Sequence, residues 1–350
     1  KQSRAVRGIY ARYTDRIEPF GIDECWLDVT HSTIFGNGEE IAERIRREVK
    51  EELSLTVSVG VSFNKVFAKL ASDLKKPDAV TVVSRENYRE KLYPLPASNL
   101  LYVGKATAER LRRMGISTIG ELAAADPKML ANLLGKWGAM LSRYARGEDN
   151  APVRNMNDKQ PLKSVGNSMT YFEDIYRTED VKRLLYVLAE SVAARMKDAH
   201  LGKADTVHLW VRDKELQSYS WQKKVRPTAL VGEIAEHAFS LFKERYKARR
   251  AVRGLGVTVS GFDLGVEQLS FDSFGGDYEK KARAEEAVGK IREKYGYSTV
   301  QRGIMFEDRA ALKMDVRGER LVRPGGVDGD IADPFEEEIR EIPPQDGEEQ

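Results

Sequence analysis

The chain has 350 residues, 41% apolar and 32% charged, enough for two or three packed domains. It has no apolar run long enough to span a bilayer and no signal-like start. Its single cysteine, Cys25, excludes a disulfide framework and fits a reducing, cytoplasmic setting. The net charge of +2 hides an asymmetry: residues 316–350 carry four Arg against eleven Asp or Glu, leaving 53 bases against 44 acids in the first 315. A basic body with an acidic tail is compatible with nucleic-acid binding.

In chain order, Val6, Ile9, Tyr10 and Tyr13 share one helical face and predict a helix over residues 3–17. It leads into Phe20 to Thr30, a stretch of β-favouring residues that holds the adjacent carboxylates Asp23 and Glu24. Two like charges in an apolar strand call for a cation, and hard oxygen ligands of this kind suit Mg²⁺. Strict alternation sends the two side chains to opposite faces, so both reach one ion only if the backbone kinks, which Gly21 would ease. The competing reading is a surface hairpin with both acids facing water. Cys25 reads as a small packed residue, and Asp28 as structural.

Gly36-Asn37-Gly38 marks a turn, and Ile41, Ile45, Val49 and Leu53 trace an amphipathic helix over 41–53. Leu55 to Val61 alternates as a strand, Asn64 to Leu74 reads as a helix, and Ala79 to Val83 as another strand. This order describes helices packed on a sheet. From Leu95 the pattern becomes all-helical, punctuated by glycine turns at Gly104, Gly115 and Gly135 that resemble helix-hairpin-helix units. Such turns let phosphates approach helix N-termini, although each alone is also a plain loop.

Residues 147–161 are polar and aperiodic and read as a linker. Strands at 163–170, 204–212, 219–224 and 252–260, with helices at 178–200 and 230–246, predict a separate α+β domain. Its strands carry Lys163, Arg212, Lys223, Lys224 and Arg253, a set suited to a DNA backbone or to a solvated face. Tyr278 to Tyr295 reads as a charged helix and residues 316–350 as a disordered tail.

The run Gly21-Ile22-Asp23-Glu24-Cys25-Trp26-Leu27-Asp28 resembles the second catalytic motif of Y-family translesion DNA polymerases. Val59 to Asp73 and Lys75-Lys76-Pro77-Asp78 are similar to the following palm segment, the glycine turns to the thumb, and Lys163-Ser164-Val165-Gly166 to the opening of the little finger. The likeness runs from about Ile9 to about Asp308 and is closest to the DNA polymerase IV branch. It implies an α+β multidomain fold: an incomplete α/β palm over 1–94, a small all-helical thumb over 95–146, the linker over 147–161 and an α+β little finger over 162–262. A linker with the charged helix follows over 263–315, and the acidic tail over 316–350.

The same resemblance implies template-directed DNA synthesis with two Mg²⁺ ions in the complete enzyme, and primer-template DNA and dNTPs as partners. Asp23 and Glu24 correspond to catalytic metal ligands, and Lys76 to the lysine that meets the triphosphate. Gly104 and Lys105 correspond to the turn on primer phosphates, with Tyr102 standing where the family has its first glycine. Lys163, Ser164 and Arg253 match little-finger positions along the template. Gln268-Leu269-Ser270-Phe271 resembles a sliding-clamp-binding peptide with one apolar residue deleted. The family's first strand, with its catalytic Asp, and the fingers domain have no counterpart in these residues, so the chain is expected to be inactive or impaired. A non-catalytic DNA-binding module is the main alternative, and a nucleotide cyclase-like palm a third.

Overall fold

The computed structural model describes residues 2–158, 161–248, 250–263, 277–296 and 299–305, which fall into two compact units divided at residues 159 and 160.

The first unit opens with α1 (Gln2–Tyr10), shorter than the expected helix, followed by a hairpin of β1 (Ile17–Pro19) and β2 (Cys25–Leu27), with Ile17 opposite Leu27 and Pro19 opposite Cys25. α2 (Gly38–Leu53) starts on a reciprocal cap: Asn37 accepts from the amides of Glu39 and Glu40, and the Glu40 carboxylate accepts from the Asn37 amide. Ile9, Tyr13, Ile41, Ile45 and Val49 form the core between α1 and α2, so the periodicity read from the sequence is the buried face.

β3 (Val59–Ser62) and β4 (Val80–Val83) pair in parallel, joined by α3 (Lys65–Leu74), whose first turn is capped by Asn64 accepting from the Phe67 amide. α3 lies so close on β3 that a Cβ at Gly60 would sit 1.9 Å from the Ala68 carbonyl oxygen. The expected strand from Leu55 begins only at Val59, because β4 offers no partner before Val80. β2 and β3 do not pair with each other. Their open edges border one cavity of about 460 Å³, floored by Ile41, Ala42 and Ile45.

The helical half contains α4 (Tyr88–Leu92), α5 (Lys105–Arg113), α6 (Ile119–Ala124), α7 (Pro127–Leu134) and α8 (Lys136–Ala145). One core runs from Val66, Phe67 and Leu70 of α3 through Leu111 and Leu122 to Leu141 of α8. The change in character near residue 95 is therefore a change of element type within continuous packing. The polar stretch after α8 is fastened to this unit: the Met156 amide donates to the Asp15 carbonyl at 2.9 Å, and Asn155 Nδ2 to Asp15 Oδ2 at 2.6 Å.

The second unit is a four-stranded antiparallel sheet in the order β5 (Ser164–Ile175), β8 (Val252–Phe262), β6 (Ala204–Asp213), β7 (Ser218–Thr228). α9 (Thr178–Asp198) and α10 (Val231–Arg245) cover one face, burying Val165, Val207, Leu209, Val211, Leu255, Val257 and Val259 at alternating positions. α11 (Asp277–Tyr295) is part of this unit: Arg292 and Arg302 both meet the buried Glu190 of α9, at 3.1 and 3.0 Å.

Candidate active site and nucleic-acid interface

The acidic pair sits in the loop of the β1–β2 hairpin. Phe20 donates its amide to the Glu24 carbonyl at 2.8 Å, and Gly21 takes φ +87°, a backbone turn that L side chains adopt only under strain. The expected continuous strand is thereby corrected. Bending at 21–23 releases Asp23 and Glu24 from alternation, and both line the cavity beside β3. Asp23 is exposed and Glu24 half-buried, so each of the two sequence readings holds in part: a surface hairpin whose acids border a concave site.

The hairpin is held on three sides. Ser3 of α1 donates to the Ile22 carbonyl, and Arg7 Nη2 to that of Gly21 at 3.4 Å. Trp26 Nε1 donates to the Lys65 carbonyl at 3.0 Å while its ring packs on Phe20, centroids 4.6 Å apart. Glu18 of β1 accepts from Lys65 Nζ at 2.6 Å and from the Arg154 amide at 3.0 Å.

A chain of alternating charges runs from the acidic pair to Lys76. Glu24 Oε1 lies 3.2 Å from Lys69 Nζ, Lys69 is 2.6 Å from Asp73 Oδ2, and Asp73 Oδ1 is 2.7 Å from Lys76 Nζ. Burial alone would lower the Lys69 pKa, but hydrogen bonds to Asp73 and Glu24 outweigh it and hold it above its ordinary value. Burial likewise pushes Asp73 up, and its bonds from Lys69 and Lys76 bring it net below the usual carboxylate range. Lys76 thus stands at the same cavity as the acidic pair, neutralised by Asp73.

Two carboxylates with open space before them suit one Mg²⁺, which takes its remaining ligands from water and substrate phosphates. A second, bridged ion would need further carboxylates, and among the described residues no group of three or more His, Cys, Asp or Glu is placed to hold a metal.

In the helical half, Gly104 caps α5 and Lys105 is its first residue; Gly135 and Lys136 repeat the arrangement at α8. Neither cap glycine is replaced by a hydrogen-bonding side chain, and a Cβ at either would meet nothing within 4 Å. These backbone amides are open to an anion. Tyr102, two residues before Gly104, takes φ +71° and is 48% exposed.

Comparison with known proteins decides what this arrangement belongs to. The impB/mucB/samB family matches residues 1–73, and its C-terminal domain matches residues 162–271. DNA polymerase IV of Acetivibrio thermocellus is 44% identical over 313 residues, covering 88% of this chain and 78% of the relative. DNA polymerase IV of Clostridium kluyveri is 37% identical over 316 residues, with the same coverage. The chain belongs to the DNA polymerase IV branch of the Y-family polymerases. Among solved structures, a Y-family DNA polymerase chimera matches with a TM-score of 0.66 at 26% identity, over 75% of each chain. By family this is a DNA-directed DNA polymerase.

In the second unit of this polymerase, Lys163 precedes β5 and Ser164 begins it opposite Ser260, whereas Arg253 lies near the other end of the same ladder. Seven or eight residues of strand separate them, roughly 25 Å at about 3.4 Å per residue. Lys163 and Ser164 are exposed; Arg253 pairs with Asp174 at 3.4 Å. Of the wider basic set, Lys223 turns toward the helices, donating to Ser240 of α10 at 2.9 Å, while Lys224 on the opposite face meets Asp205 at 3.2 Å. Alternation within β7 separates these neighbours, so Lys223 leaves the expected DNA-facing group. Gln268, Leu269 and Phe271 lie outside the described residues, as does the acidic tail.

Sequence reasoning gave no role to Lys69, Asp73, Glu18 or Lys65. Lys69 and Asp73 were visible as a four-residue helical pair, followed by Lys76 three further on. Glu18 to Lys65 spans 47 positions and left no local signal.

Proposed function

We propose that this chain carries the catalytic palm corner, thumb and little finger of a translesion polymerase, with Asp23 and Glu24 as its metal-holding carboxylates and Lys76 as the lysine for the incoming triphosphate. One observation carries the reading: Asp23, Glu24, Lys69 and Lys76 line a single cavity, two carboxylates facing two ammonium groups. Mg²⁺ bound there would supply charge neutralisation for the phosphates and lower the pKa of a coordinated hydroxyl. The residues do the rest. Lys69 balances Glu24 until a cation takes that part, and Lys76 exchanges Asp73 for a phosphate oxygen, a swap of one anion for another that its flexible stem permits. The open amides at Gly104 and Gly135, with Lys105 and Lys136, would receive backbone phosphates of the primer-template. Lys163, Ser164 and Arg253 would extend this contact along the template. Gln268, Leu269 and Phe271 are proposed as a contact to the replication sliding clamp, on the sequence resemblance alone.

In the family pattern a further carboxylate comes on a strand, and the open edges of β2 and β3 flank a cavity suited to receive one. Two carboxylates without a further one should support only weak nucleotide addition. The test is Mg²⁺-dependent primer extension. A low activity lost in both Asp23→Ala and Glu24→Ala is expected, and extension that survives either change removes that residue from the site. The alternative reading is a DNA-binding module without catalysis, using the open helix starts at Gly104 and Gly135 and the exposed Lys163. Salt-sensitive duplex binding with no extension under any Mg²⁺ concentration would select it.

A further inference from the structure

Two helix starts in the first unit stand next to each other, joined by aromatic rings. Tyr102, just ahead of α5, and Trp137, the second residue of α8, place their ring centroids 5.7 Å apart at 46°. Tyr144 of α8 backs Tyr102 at 6.1 Å. Tyr102 and Trp137 are 48% and 47% exposed, so two of the largest apolar side chains stand together half in water. Isolated exposed apolar residues are ordinary, but a contiguous aromatic pair marks a contact surface. Tyr102 also holds φ +71°, where glycine would rest without strain.

The surroundings say what the pair meets. Lys105 and Lys136, the first residues of the two helices, are both exposed, and the helix starts present open backbone amides. Cations and amide donors on either side favour a polyanion. The rings themselves are a poor seat for phosphate. They carry no positive charge, and the negative charge of Asp149 acts on both Tyr102 and Tyr144. An uncharged flat group between phosphates is what remains, and a nucleic-acid strand offers one at every residue.

We propose that Tyr102 and Trp137 form an aromatic ledge that packs against the sugars and base edges of the bound DNA strand, between phosphates held at Lys105 and Lys136. The inference rests on the polymerase reading and adds to it a contact made by side-chain rings, at a turn where the family pattern has glycine. The ledge contributes an attraction that salt does not screen, beside a phosphate contact that it does.

The test is equilibrium binding of the full chain to a labelled primer-template duplex across a salt series. Tyr102→Gly and Trp137→Ala should each weaken binding about tenfold, the loss expected when the exposed half of a large aromatic side chain no longer gains burial against the duplex, with the salt slope unchanged. Lys105→Ala and Lys136→Ala should each reduce the slope by about one. Tyr102→Gly should leave thermal stability unchanged or raised, since glycine suits that backbone, whereas a merely structural tyrosine would lose stability when removed. Trp137 fluorescence should respond to duplex, and the response should vanish in Trp137→Phe. If the aromatic variants bind as wild type while the lysine variants weaken, the ledge is refuted and the polymerase reading stands. If neither set changes affinity, DNA does not pass over these turns and both fail here. Loss of a protein partner with duplex affinity intact would also overturn the proposal.

Discussion

Removing the Glu18 carboxylate tests whether the acidic loop is positioned from behind. The side chains of Glu18 and Lys65 are 12% and 13% exposed, and their 2.6 Å pair joins β1 to the first turn of α3. Glu18→Ala strands the Lys65 ammonium beside the Trp26 ring, 5.2 Å from its centroid, and takes the acceptor from the Arg154 amide. Breaking a buried pair by deleting one partner costs about 3–5 kcal/mol, and the residual water access here argues for about 3. At about 1.4 kcal/mol per factor of ten, opening of the hairpin should become roughly two orders of magnitude more frequent. Native-state hydrogen exchange reads this at Phe20 and Asp28, whose amides donate to Glu24 and Arg16 at 2.8 and 3.1 Å. Adding Lys65→Met should recover part of the loss, since no unpaired ammonium is left behind. Exchange at wild-type rates in Glu18→Ala would refute the claim that this pair anchors the loop.

Other outcomes follow from single contacts. Gly60→Ala should destabilise the first unit by about 3 kcal/mol in urea, because its Cβ would meet the Ala68 and Ser72 backbone at 1.9 and 2.5 Å. The same change at Gly8, inside α1 with nothing within 4 Å, should stabilise by about 0.5–1 kcal/mol, so equal effects would contradict the packing account. Asp73 sits below its unfolded-state value, so its contribution is present above the usual carboxylate range and fades as pH falls through the folded value. Asp73→Asn should accordingly flatten the acid limb of a stability-against-pH curve, and an unchanged limb would count against the pair. Glu190→Gln should weaken its contacts with Arg292 and Arg302 and speed exchange across α11; unchanged exchange there would mean that other contacts hold the helix. Lys224→Ala should lower the salt dependence of duplex binding while Lys223→Ala does not, and the reverse order would invert the assigned faces.

Elements set by their own repeat were legible in the sequence. The apolar spacing of Ile41, Ile45 and Val49 is the buried face of α2, and the order of strands and helices after residue 162 is the one observed. The acidic loop was not, because period-two reasoning assumes an unbroken strand, and the turn depends on a positive φ at Gly21 and a bond back from Phe20 to Glu24. The strand expected from Leu55 had the right composition, but a strand needs a partner, and β4 supplies one only from Val80. Lys223 and Lys224 were grouped by charge, and only pairing within the sheet shows that they point apart. The carboxylates of the site were readable as a motif. The ammonium groups that balance them became readable only once α3 was laid against the hairpin.

The clasp that binds α11 to its unit has a practical corollary. Arg302 bridges Glu190 and Glu285, Glu285 accepts from the Val231 amide at 3.1 Å, and the Tyr278 hydroxyl accepts from Ala229 at the same distance. A peptide bond cut anywhere between Asp263 and Asp277 would therefore leave two polypeptides travelling as one particle through gel filtration, parting only in denaturant.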